Sequence, residues 1–210
     1  VVHTTTDKVA CGIIVPSAAE LTMMSTYPGY SGTHSVGGML ATSPASTGVN
    51  VKGVLTGLES SVTAGWHVHA GYTCAEATAV SGHYLAADGT DPWAAPTATT
   101  YTSDASGVAQ VDSTTAKMSV YGSMPVYGRA VVVHHSSALS SARAGCGVVG
   151  AMGSEFTAVA KVGPYPGSSA LPVKGMLTLS SVAGGAGALK VQGVVGGLEA
   201  STSGGWHIHS

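Results

Sequence analysis

Charge is what this chain has least of. Asp, Glu, Lys and Arg together make up 9% of its 210 residues, and the formal net charge is −2 with histidine neutral. A nucleic-acid partner needs a basic surface to neutralise phosphates, so that class of function is excluded. Long apolar runs are missing too. None approaches the length needed to span a bilayer, and no secretory leader is visible. The single asparagine, Asn50, is followed by Val51-Lys52, so there is no N-glycosylation sequon. The chain opens on Val1-Val2-His3 without a starting Met, which reads as a processed product or a part of something longer. Cysteine is scarce. Cys11, Cys74 and Cys146 make an odd count, which points to a free thiol or a partner elsewhere. Three buried thiols in a reducing compartment would fit that count. The low charge and the abundant Ser and Thr favour instead an oxidising setting, extracellular or at the cell surface, with a disulfide.

Glycine is what the chain has in excess, at 30 residues, and the chain also repeats itself. Gly57-Leu58-Glu59 recurs as Gly197-Leu198-Glu199, and Gly65-Trp66-His67-Val68-His69 recurs as Gly205-Trp206-His207-Ile208-His209. Tyr27-Pro28-Gly29 recurs as Tyr165-Pro166-Gly167. The opening also matches something later. Val1-Val2-His3 with Lys8-Val9-Ala10-Cys11-Gly12 parallels Val132-Val133-His134 with Arg143-Ala144-Gly145-Cys146-Gly147. Self-similarity of this kind marks a repeat architecture. Residues 1–19 therefore read as the end of a preceding unit, 20–153 as a complete unit, and 154–210 as the start of a following one. The joints Pro16-Ser17-Ala18-Ala19 and Gly150-Ala151-Met152-Gly153 are short, so such units would form a stiff array.

Inside the complete unit the local signals are β. Val51–Leu58 is apolar with interspersed Gly, and Lys117–Tyr121 alternates at period two. Arg129–His134 and Gly147-Val148-Val149 are β-branched runs beside turn residues. A short helix over Ala18–Ser25 is the one rival, and it lacks a proper cap. The expected class is all-β, a Greek-key sandwich or barrel of short antiparallel strands in tandem repeats.

His67-Val68-His69 is the chemical centre of this reading. Residues two apart on a strand project from one face, so the two imidazoles can converge on one ion. Copper suits imidazole ligands. Alone the pattern is weak; its company makes it specific. Gly65–His69 resembles the Gly-Phe-His-Val-His signature of the Cu/Zn superoxide dismutases, and Gly82-His83 resembles the segment carrying that family's bridging histidine. Arg129–His134 is similar to the strand with the last copper ligand, and Arg143–Gly150 to the closing Arg-Leu-Ala-Cys-Gly-Val-Ile-Gly. The matches fall in order across residues 20–152.

The resemblance implies copper ligands His67, His69, His83 and His134, a Cys74–Cys146 disulfide, and Arg143 as the cation that draws in superoxide. It implies dismutation of superoxide to oxygen and hydrogen peroxide, with His83 carrying a proton, a task for which histidine's near-neutral pKa suits it. His3, His207 and His209 would belong to partial sites of the neighbouring repeats. In the first fragment Lys8 stands where Arg143 stands, keeping the charge but not the planar fork. Two departures matter. Between His83 and Asp104 there is no other histidine, and the carboxylates there are Asp88 and Asp91, a poor set for zinc, which normally takes four ligands. The stretch from His134 to Cys146 is also short. Both departures resemble the copper-only branch, so copper is expected and zinc is not. Asp88 and Asp91 either hydrogen-bond the far nitrogen of His83 or form a solvated turn, and the turn is the simpler account.

Several other residues are expected to do less. His135 should face away from His134 onto the surface, and His34 sits in a Gly/Ser-rich turn. Trp66 and Trp206 read as core filling. Tyr72 and Tyr84 could line the approach to copper or simply pack. The truncated end units suggest a second role: a structural subunit of an extracellular fibre or coat, its partners adjacent repeats or copies of itself, with or without active copper sites. Copper storage or delivery would use the same histidines without needing Arg143.

Overall fold

A computed structural model describes all residues except 4–6, 13, 17–18, 95–98, 137–141, 151–155, 168–170, 182–188 and 210. The described strands are β1 (Val2–His3), β2 (Lys8–Cys11), β3 (Ile14–Pro16), β4 (Glu20–Thr26), β5 (Gly37–Ala45), β6 (Gly48–Thr56) and β7 (Thr63–Val68). They continue with β8 (Thr100–Thr102), β9 (Ala109–Ala116), β10 (Ala130–Ser136), β11 (Arg143–Val148), β12 (Phe156–Pro164), β13 (Lys174–Ser181) and β14 (Leu189–Gly196). One 3-10 turn spans Ala77–Val80. No helix among the described residues is long and apolar enough to cross a membrane. The chain divides into two compact units, Ala18–Ser154 and a second built from both ends, Val1–Ser17 with Glu155–Ser210.

The Ala18–Ser154 unit is one antiparallel sheet in the order β8-β7-β10-β11-β4-β5-β6-β9. Strands β8 and β9 stand at opposite ends of that order, yet a short connection over residues 103–108 joins them. A sheet whose two edges are tied so closely has to curl round, which makes it barrel-like. Alternation decides what fills the inside. On β7, Ala64, Trp66 and Val68 are buried while the residues between them are not. Trp66 and Val68 join Leu40, Leu55, Trp93, Tyr101, Val131 and Val133 in the main core. A second, smaller cluster of Tyr27, Val80, Ala130, Val132 and Cys146 lies on the other face of β10 and β11. The loop after β7 supplies part of it, and the Cys74–Cys146 disulfide pins that loop down.

Local expectation and structure part company in three places. Ala18–Ser25 was the one candidate helix, but Glu20–Thr26 is a strand hydrogen-bonded to β5 and β11. Neighbouring strands override the helical preference of Met and Leu, which is only a weak prior. Lys117–Tyr121 alternates because Met118 and Val120 are buried, yet it is a turn rather than a strand, with Lys117 at positive φ. His135 is buried rather than on the surface. It faces away from His134 as expected, but that face of β10 also carries Val131 and Val133 and is the barrel interior. There it meets Tyr30 Oη, Glu59 Oε2 at 3.3 Å and the edge of the His34 ring.

The unit made from the two ends is a second antiparallel sheet, β1-β2-β12-β13-β14, with β3 also paired to β12. Residues 1–19 and 154–210, expected to close one repeat and open another, share hydrogen bonds here. The internal registers of the two units correspond pair by pair. Val2 faces Ala10 and His3 faces Lys8, with a shift between them; Val133 faces Gly145 and His134 faces Arg143, with the same shift. Cys11 pairs with Gly163 as Cys146 pairs with Ser25, and Val2 bridges Trp206 as Val133 pairs with Trp66.

Candidate metal centre

The outer face of β7 and β10 carries a group of histidines. His67 leaves β7 on the side opposite Trp66 and Val68, and His69 follows at the strand's end. His134 stands on β10, paired beside β7. His83 arrives on the disulfide-anchored loop, which folds back along the end of β7. Tyr84 N donates to Val68 O at 2.9 Å, Ala70 N donates to Gly82 O at 2.8 Å, and His69 and His83 form an antiparallel bridge. Gly65 makes room for the first ring, since a Cβ there would stand 2.8 Å from His67 Nε2. This is the physical reason for glycine two residues before the first histidine.

The four rings converge. His67 lies 4.3 Å from His83 and 4.8 Å from His134 between ring centroids, and His69 lies 5.1 Å from His83. One nitrogen from each of the four falls within 4.8 Å of all the others. Two nitrogens on opposite sides of one ion, each about 2 Å from it, would be about 4 Å apart, so small ring rotations suffice. The nitrogens available are also unengaged. Nδ1 of His67, Nε2 of His69 and both ring nitrogens of His134 are buried without a hydrogen-bond partner. Buried polar atoms left unpaired are costly, and one such nitrogen on each of three neighbouring rings is best explained by an ion they would bind.

The other nitrogens are fixed by the protein. Nδ1 of His69 lies 3.0 Å from Ser81 O, and Nδ1 of His83 lies 2.7 Å from Asp91 Oδ2. Both contacts leave Nε2 facing the other rings, as outer partners do for metal-bound histidines. Asp91 is itself held by the Trp93 backbone N–H, which donates to Oδ1 at 2.9 Å. Burial pushes the Asp91 carboxyl up, but the hydrogen bonds from His83 and Trp93 outweigh it and hold its pKa below the usual value. Asp88 does the other thing. It accepts from Lys117 Nζ at 2.7 Å and from Thr90 on the exposed surface, and these bonds keep its carboxyl well below the usual range. Of the two carboxylates, one contacts the site and one is a solvated turn.

Burial pulls His67 and His69 down to about 4 and His134 down to about 3, with neighbouring histidines adding to the effect. His67, His69 and His134 are therefore neutral near pH 7 without a metal, the form in which imidazole binds metals. The Arg143 charge contributes to the lowering at His69 and His134, which places its field at the site. Its guanidinium donates to Tyr27 Oη at 3.0 Å and lies 5.7 Å from that ring's centroid.

Two features were not read from the sequence with any definiteness. Asp91 could not be separated from Asp88, because a turn of two aspartates has no periodicity to say which one points inward. Tyr72 and Tyr84 sandwich the Arg129 guanidinium, at 4.2 and 3.8 Å from the ring centroids, while Arg129 donates to Ala70 O. These contacts brace the loop that starts at His69.

A family model described as copper/zinc superoxide dismutase (SODC) matches residues 36–149. The chain belongs to that family. The matched stretch contains all four converging histidines, Arg143 and both bridged cysteines, and membership supports a superoxide dismutase-like function with copper as its metal. No curated protein matches the chain.

Proposed function

We propose that the Ala18–Ser154 unit is a copper-only superoxide dismutase, with His67, His69, His83 and His134 as ligands. The observation that carries this reading is the convergence of four imidazoles, three of them with buried ring nitrogens that have no hydrogen-bond partner. Copper held there would supply the one-electron redox chemistry of dismutation, taking an electron from one superoxide and giving it to the next. The protein's own residues do the rest. Arg143 offers a fixed positive charge beside His69 and His134, where an anion gains most from it. Asp91 holds the proton of His83 on Nδ1 and so keeps Nε2 directed at the other rings. His83 Nε2 is the atom at which a proton for the product can be held and released.

Supporting a copper-only site is the engagement of Nδ1 of His83, the nitrogen a second metal would need, by Asp91. The described residues hold no further group of donors around that atom. The disulfide agrees with an extracellular or cell-surface setting. The matched registers of the two units support the tandem-repeat reading. They also leave room for a fibre or coat built from adjacent repeats or copies of the chain.

Metal analysis of the protein loaded with copper, paired with a superoxide assay, is the test. His69→Ala should lose both copper and activity. Arg143→Ala should keep copper while activity drops, by about tenfold or more, because superoxide is steered by charge. Full activity in Arg143→Ala would favour copper storage over catalysis.

A further inference from the structure

The ring of His134 lacks the anchors that hold two of its neighbours. His69 and His83 are each fixed through Nδ1, by Ser81 O and by Asp91. Both ring nitrogens of His134 are buried without a hydrogen-bond partner. Its orientation has to come from the backbone that carries it, and that backbone is irregular. Val133 pairs with Trp66 and Ser136 with Ala64, so β10 takes three steps where β7 takes two. The extra residue is a β-bulge, which bends the strand and breaks the local ladder of hydrogen bonds. A buried carbonyl at such a place needs a donor from elsewhere. His134 O finds one inside the barrel, where Tyr101 Oη donates to it at 2.7 Å. Tyr101 belongs to β8, with β7 lying between it and β10. Its side chain is 2% exposed and sits in the main core. To reach β10 it must cross β7, and its register partner there is Ala64, whose single methyl offers little obstruction. The next residue of the bulge, His135, is held from the same interior side by Tyr30 Oη and Glu59 Oε2.

We propose that Tyr101 is a positioning residue for the metal centre: its hydroxyl holds the bulge of β10 in the shape that aims the His134 ring at the other three imidazoles. It acts through the His134 backbone and touches no ring nitrogen. The inference rests on the four-histidine reading of the centre. It assigns to the barrel interior the task that Ser81 O and Asp91 perform for His69 and His83 on the outer face. Burial and the nearby Glu59 charge push the phenol's pKa up, so the hydroxyl keeps its proton and remains a donor. Phenylalanine at this position would fill the same space and leave the buried carbonyl short of that donor. The bulge could then relax, and a small turn of the backbone at His134 is magnified at the far end of its side chain.

The test compares Tyr101→Phe with Ser103→Ala in the whole 210-residue chain. Ser103 donates its own buried hydroxyl to Glu59 O, so Ser103→Ala removes a hydrogen bond of the same kind without touching β10. Each protein receives substoichiometric copper(II), and electron paramagnetic resonance reads the splittings from copper and from its nitrogen ligands. Tyr101→Phe should shift the copper splitting away from the wild-type value. Competition with a chelator should show copper held about fivefold more weakly, the factor that one neutral hydrogen bond supplies. Ser103→Ala should keep the wild-type spectrum and affinity, while its urea midpoint falls about as far as that of Tyr101→Phe. The spectrum thereby separates positioning from general stability. An unshifted spectrum in Tyr101→Phe would overturn the proposal and leave the metal centre standing, and so would an equal shift in Ser103→Ala. A wild type whose resonance lacks splitting from imidazole nitrogens would sink the metal centre and this inference with it.

Discussion

Replacing Asp91 by Ala tests the architecture of the metal centre without touching a proposed ligand. The contact removed is a hydrogen bond of 2.7 Å between Nδ1 of His83 and a carboxylate held below its usual pKa. Hydrogen bonds to charged groups contribute about 1.5–3 kcal/mol. Both partners are 29% exposed, and solvent screening reduces the figure to about 1–2 kcal/mol. A loss of about 1.4 kcal/mol is a factor of ten, so copper affinity should weaken about tenfold, within the range seen when outer partners of metal-bound histidines are removed. The assay is competition with a chromophoric chelator at fixed pH. Asp91→Asn should fall between wild type and Asp91→Ala, since its one amide oxygen can still accept from the ring or from Trp93 but cannot replace both carboxylate oxygens. Asp88→Ala is the control, because Asp88 spends its oxygens on Lys117 and Thr90. Unchanged affinity in Asp91→Ala, or an equal loss in Asp88→Ala, would refute the reasoning.

Two further expectations concern stability. In the metal-free protein His67 and His69 titrate near 4 and His134 near 3, whereas an unfolded chain binds those protons near 6.5. Unfolding therefore takes up protons as pH falls from about 6.5 towards about 3, and the contribution of these three groups declines across that window before levelling below it. Urea midpoints of the copper-free chain should be lower at about pH 5 than at about pH 7.5, and a flat or opposite trend would contradict the assigned burial. Cys74→Ser opens a bridge between positions 72 apart in sequence and should cost about 2–5 kcal/mol of unfolding free energy. Because the bridge anchors the His83 loop, copper affinity should fall in the same variant, measurable by the same chelator competition.

Much of this molecule is written in short-range patterns. The β-branched run of β10 marked it as a strand, and once β7 is a strand its two-residue period, a local property, puts His67 and His69 on one face. The repeated Gly-Trp-His-x-His block marked both histidine groups before any contact was known. Burial and partnership were not local, and there the sequence ran out. His135 sits inside because the face opposite His134 turns out to be the barrel interior, which depends on where β10 lies in the sheet. Glu20–Thr26 is a strand because β5 and β11 hydrogen-bond it from either side, against its own composition. Asp91 rather than Asp88 meets His83 because the loop folds back along β7, a path that no spacing between aspartates encodes. The joining of His3 to His207 and His209, one ring nitrogen of each within 4.8 Å of the other two, is the clearest case: residues at opposite ends of the chain meet through strand pairing, and only tertiary structure can bring about a contact of that sequence separation.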